Sequence, residues 1–140
     1  MITKDIKCVL VIDAALPAGV IANTSAILGI TIGGLVPEII GHDVNDGSGQ
    51  VHKGIVTRPI PVLKGDKSEL KAIRRKLYTP DFKDITAVDF SDIAQSCNTY
   101  EEYAASAGSS PEDDFNYLGL FLYGDKKKVN KLTGSMPLLR

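Results

Sequence analysis

Apolar and polar positions alternate along this chain in blocks that predict strands and helices in turn. Cys8–Ile12 (CVLVI) is an unbroken apolar run, the pattern of a central strand covered on both faces. Pro17 and Gly19 interrupt it, and a helix is expected over about Val20–Ile32. That helix carries apolar or small residues on every side, with Ala22, Ala26, Gly29 and Gly33 forming one small-residue stripe. A helix apolar all round is buried on more than one side, within the chain or against a second copy.

Asp43–Gly49 (DVNDGSG) reads as a loop, and Gly54–Leu63 as a second strand. Pro59 and Pro61 remove ladder donors there and put its later half at an edge or bulge. Asp66 and Glu69 make a capping box for a helix that turns Leu70, Ile73 and Leu77 inward. Lys67, Lys71, Arg74, Arg75 and Lys76 fall on its other faces, as expected of a solvated surface. Ile85–Phe90 is a third strand, followed by a polar loop from Ser91 to Ser96. Thr99 and Glu102 form a second capping box, opening a short helix that stops at Gly108. Ser109–Asp114 is expected to be a mobile surface loop, and Tyr117–Tyr123 a fourth, central strand. Asp125 then caps a short helix closed by Gly134 as its C′ glycine, and the tail has room for one extended segment. The order β-α-β-α-β-(α)-β-α predicts one domain over residues 1–140, a three-layer α/β/α sandwich on a mixed, mostly parallel four-stranded sheet.

Bulk chemistry narrows the function only by exclusion. A net charge of −1 provides no general attraction to nucleic acid or anionic membranes. Two distant cysteines, Cys8 and Cys97, make neither a disulfide framework nor a metal spacing, which fits a reducing compartment. The polar start has no signal-peptide pattern, and no apolar run approaches the ~20 residues that cross a bilayer, so a cytoplasmic, non-membrane protein is expected. The 43–54 loop fails the calcium pattern, since its fifth and sixth positions are Gly47 and Ser48 and its twelfth is Gly54. His42 and His52 flank it without forming a metal motif, and no cofactor fingerprint occurs: the Gly33–Gly34 pair follows the first helix instead of preceding it.

The opening KCVLVIDAALPAGVIANTSAILG and the closing LGLFLYGDKKKVNKLTGSMPLL resemble the type II peptidyl-tRNA hydrolase fold, and most closely an uncharacterised bacterial domain family thought to share it. The resemblance implies a hydrolase of tRNA- or nucleotide-linked esters or amides. The hydrolases carry a lysine in the Gly-rich turn, an amide side chain in the first helix, and an aspartate after the third strand. This chain has Gly19-Val20 at the turn, Asn23 or Thr24 at the amide, and Asp92 or Asp89 at the aspartate. The missing lysine removes a stabiliser for a developing oxyanion.

Three function classes remain. The first is a small-ligand-binding or regulatory domain, a homodimer, with a pocket at the strand ends formed by Gly19, Asn23, Thr24, Ser91 and Gln95. The second is a hydrolase in which Asp92 orients water. The third is a partner-binding module that uses the apolar first helix.

Overall fold

The computed structural model describes residues 5–140. Strand β1 (Ile6–Asp13) lies at the centre of a four-stranded sheet of order β4-β1-β6-β5, between β4 (Val62–Gly65) and β6 (Tyr117–Asp125), with β5 (Thr86–Ser91) beyond β6. The sheet is mixed, as expected, but it is not mostly parallel. Only β1 and β4 run parallel, whereas β6 is antiparallel to both β1 and β5. The reason is topological: the connection from β5 to β6 stays at one edge and returns without crossing the sheet.

Alternate residues of the central strands feed two separate cores. On one face Val9, Val11, Leu120 and Leu122 meet helix α2 (Lys67–Leu77) through Leu70, Ile73 and Leu77, and helix α5 (Lys126–Thr133) through Val129. On the other face Leu10, Ile12 and Phe121 meet helix α1 (Ala18–Leu35) through Leu28 and Ile32. Strands buried on both sides explain why CVLVI and YLGLFLY read as continuous apolar runs. Gly119 lets α1 approach the sheet closely: a Cβ there would stand 2.8 Å from Thr24 Cγ2 and 3.0 Å from Leu28 Cδ1.

Helix α1 is longer than expected, 18 residues in place of thirteen, and by length and composition it could cross a membrane. That corrects the expectation that no run approaches such a length. Only 17% of it is buried, which also departs from a helix covered all round.

The second strand begins after the prolines, at Val62 and not at Gly54. It occupies an edge in the order β4-β1-β6-β5, and Pro59 and Pro61 lie just before it, outside the strand. Residues 39–57 instead make a hairpin that includes strands β2 (Val44–Asn45) and β3 (Val51–His52). Gly41 N–H donates to Ile55 O at 2.8 Å and Thr57 N–H to Ile39 O at 2.8 Å. Gly54 is required at this crossing, since a Cβ would fall 1.7 Å from Gly41 O. The outer edge of β4 is taken by the tail: Lys64 N–H donates to Pro137 O and Leu139 N–H to Val62 O, each at 2.8 Å.

Two further expectations change. The 109–114 segment is tied down, with Lys71 and Arg75 both reaching Asp113, and Tyr117 Oη donating to Glu112 at 2.7 Å. Gly134 stays right-handed at φ −64° and ends α5 by donating to Asn130 O at 2.7 Å. Glycine is needed there because a Cβ would meet that same carbonyl at 2.6 Å, and not for a left-handed turn.

Candidate functional site

The start of α1 brings four of the expected residues together. Gly19, Asn23 and Thr24 form one wall of a cleft of about 420 Å³, and Gln95 lies on the opposite wall with Phe90, Ala94 and Cys97. The cleft shares Ile27, Phe90, Ala94 and Cys97 with a larger chamber of about 550 Å³, so the two form one trough. The trough runs between α1 and edge strand β5, past helix α3 (Asp92–Gln95) and the first turn of helix α4 (Tyr100–Gly108). Tyr100 and Tyr103 of α4 meet edge to face, with centroids 5.7 Å apart, and close its far end.

Local sequence explains the cleft's polarity. Pro17 precedes α1 and offers no side chain to cap it, and the first turn contains no acidic residue. The positive end of an 18-residue helix is therefore uncompensated beside Gly19. One turn further on, Thr24 is 0% exposed and its hydroxyl has no hydrogen-bond partner among the described residues. A buried hydroxyl without a partner is costly, on the order of 1–3 kcal/mol. Ser25 and Thr31, on the same helix, donate to the carbonyls of Ile21 and Ile27 in the ordinary way.

The other two expected residues serve the framework. Ser91 is fully buried, and its Oγ accepts from Ala94 N–H at 3.4 Å as the N-cap of α3. Asp92 lies outside the lining of the trough. Its two carboxylate oxygens accept from the backbone N–H and the side-chain amide of Asn116, both at 3.0 Å, and its own N–H donates to Asn116 O at 2.9 Å. Asp92 thus pins α3 to the segment entering β6. The polar Ser91–Ser96 stretch, expected as a loop, is helical because Ser91 caps it.

Asp89, the alternative aspartate, faces the α2 side of the sheet and lines the larger chamber. Arg74 Nε donates to it at 3.0 Å, and the guanidinium lies 4.2 Å from the Tyr78 ring centroid. Burial raises the Asp89 carboxyl above its ordinary range, and Arg74 opposes that shift only in part. Burial also raises the Tyr103 phenol, with the nearby Asp89 charge adding to it. The basic face of α2 is therefore engaged, by Asp89 and by the acidic 112–114 turn, and is not simply solvated. The sequence did not reveal the aromatic end of the trough, because the chamber that Tyr100 and Tyr103 close has its opposite wall on α1, at Ile27, Thr31 and Leu35, about 70 residues earlier in the chain.

Cys97 lines both parts of the trough and places its Sγ 3.8 Å from Ser106 Oγ. His42 and His52 sit on the hairpin, where His52 pairs with Asp46 at 2.8 Å. Among the described residues no group of three His, Cys, Asp or Glu side chains is placed to hold a metal ion.

Fold and site together define a small α/β domain with a mixed four-stranded sheet and a trough beside its first helix. The chain belongs to the protein family of unknown function DUF2000, whose model matches residues 6–140. It shares its fold with a solved protein of unknown function, Atu0240 from Agrobacterium tumefaciens strain C58. The two are 24% identical with a TM-score of 0.85, over 97% of this chain and 98% of that one. No curated protein matches the sequence.

Proposed function

We propose that this protein binds a small molecule in the trough, in a ligand-binding or regulatory role. The observation that carries the reading is the buried, unpartnered hydroxyl of Thr24 in the wall of a cleft at an uncapped helix start. A compact polar or anionic group on the ligand would take hydrogen bonds from this end, where Asn23 and Gln95 add amide donors and acceptors. Its body would be apolar or aromatic, to match Ile27, Phe90, Tyr100 and Tyr103. Among the described residues no Lys, Arg or His lines either part of the trough, which offers a polyanion such as tRNA no cationic partner from them. A layered α/β/α arrangement and a cytoplasmic setting belong to the same proposal.

Hydrolysis has less support. Asp92 gives both oxygens to Asn116, and among the described residues the cleft has no cation to stabilise an oxyanion.

The test is a thermal-shift screen of wild type and Thr24→Val against small carboxylates, aromatic acids, amides and nucleotides. Thr24→Val is expected to raise the stability of the free protein by about 1 kcal/mol, since it removes an orphaned hydroxyl. It is expected to weaken by at least tenfold any ligand that stabilises wild type. A ligand that stabilises both proteins equally, or silence across the whole panel, overturns the reading.

A further inference from the structure

Helix α1 has a face that neither the sheet nor the trough uses. Ala22, Ala26, Gly29 and Ile30 lie on it, all exposed, Ile30 to 78%. No charged residue occurs between Asp13 and Glu38, so water meets an apolar surface along the full length of the helix. Gly29, Gly33 and Gly34 have open space where a Cβ would stand. Packing within the chain therefore does not require glycine at positions where glycine weakens a helix.

The hairpin that follows α1 joins the core only at its base, through Ile39 and Val56, and among the described residues its outer part has no packed neighbour element. Residues 42–53 are exposed throughout, and β2 and β3 pack on each other without an extended contact to another element. Val44, Val51 and Ile55 are exposed to 54%, 62% and 78%. The consequence shows in the total surface, which is 8703 Å² for a 15.0 kDa chain. A monomer of this mass is expected to expose about 7,000 Å². Even at the full exposure of unfolded chain, residues 1–4 would contribute only about 690 Å² of the difference. About 1,000 Å² remains, against the roughly 800 Å² that each partner gives to a standard stable interface.

We infer that a second copy of this chain covers the outer face of α1, and that the 39–57 hairpin of each copy reaches onto the other. Two copies of an uncharged face meet without burying an unpaired charge, and alanines and glycines let the backbones approach closely. A membrane is the poorer occupant. Small residues give little transfer energy, and the face has no Lys or Arg to meet headgroups. The inference is independent of the ligand proposal, because neither Ala26 nor Val51 lines the trough.

Sedimentation velocity on the full chain tests it. Wild type is expected to sediment as a dimer of about 30 kDa at about 100 µM and to dissociate on dilution. Ala26→Arg and Val51→Lys, each checked for folding by circular dichroism, are expected to weaken the dimer about 100-fold and about tenfold. Lys127→Glu, on α5, is expected to leave it unchanged. A wild type that is monomeric at about 100 µM overturns the inference, whether or not it binds lipid vesicles. So does a dimer whose dissociation constant is the same in both interface variants as in wild type.

Discussion

Helices α1 and α2 pack on opposite faces of one sheet and obey different rules. Helix α2 has Asp66 as its N-cap, accepting from Glu69 N–H at 2.8 Å, and buries one stripe, Leu70, Ile73 and Leu77. Every other side of it carries charge, and Arg74 and Arg75 find acidic partners on β5 and in the 112–114 turn. Helix α1 also buries one stripe, Thr24, Leu28 and Ile32, but has no cap, no charge and an outer face of alanine and glycine. Both helices supply core in the same way. Only one is finished for water: one side of α1 lines the trough and another is left exposed, and the proposed ligand site and the proposed dimer face both fall on that helix.

The comparison breaks first at the core. Leu28 and Leu70 are each 0% exposed, so Leu28→Ala and Leu70→Ala are each expected to cost about 3 kcal/mol in urea unfolding. A Leu28 variant that loses less than half as much as the Leu70 variant would mean that α1 is not a core helix of the monomer. At the helix starts, Asp66→Ala is expected to cost about 1 kcal/mol through loss of the cap. Pro17 makes no side-chain cap bond, so Pro17→Ala removes none, and an equal loss there would erase the contrast.

The smallest effect concerns the charged side of α2. The folded Asp89 carboxyl titrates above its unfolded value. Its contribution to stability is therefore fully present below about pH 4 and is lost as pH rises through the folded value. Asp89→Asn is expected to flatten that part of the decline in unfolding midpoint as pH rises above about 4. An unchanged profile would show that Arg74 fully compensates the burial.

The elements that depend on local chemistry were legible in the sequence. The capping boxes at Asp66 and Thr99 placed α2 and α4 within a residue, and the apolar runs placed β1, β5 and β6. What failed depended on pairing. Strand direction in the sheet follows from which neighbours β6 chooses, and nothing in YLGLFLY encodes that. The 39–57 hairpin was missed because its ladder is short, broken and held partly by Asp43 and Asp46 side chains. At the site, Gly19, Asn23 and Thr24 of α1 line one cleft with Gln95 of α3. The bond of Asp92 to Asn116 spans 24 residues, beyond the reach of any local reading.

The central position of β1 sets a timetable for synthesis. Its two neighbours are β4, from Val62 onward, and β6, which ends at Asp125. At about 5–20 residues per second, a ribosome needs roughly 6–22 s after finishing β1 to complete β6. Through that interval CVLVI, a short apolar segment rich in β-formers, has one long edge unpaired, the kind of segment that nucleates aggregates. Yield in cells should therefore respond to translation rate and to chaperones that hold extended apolar chain, even where the finished protein is stable.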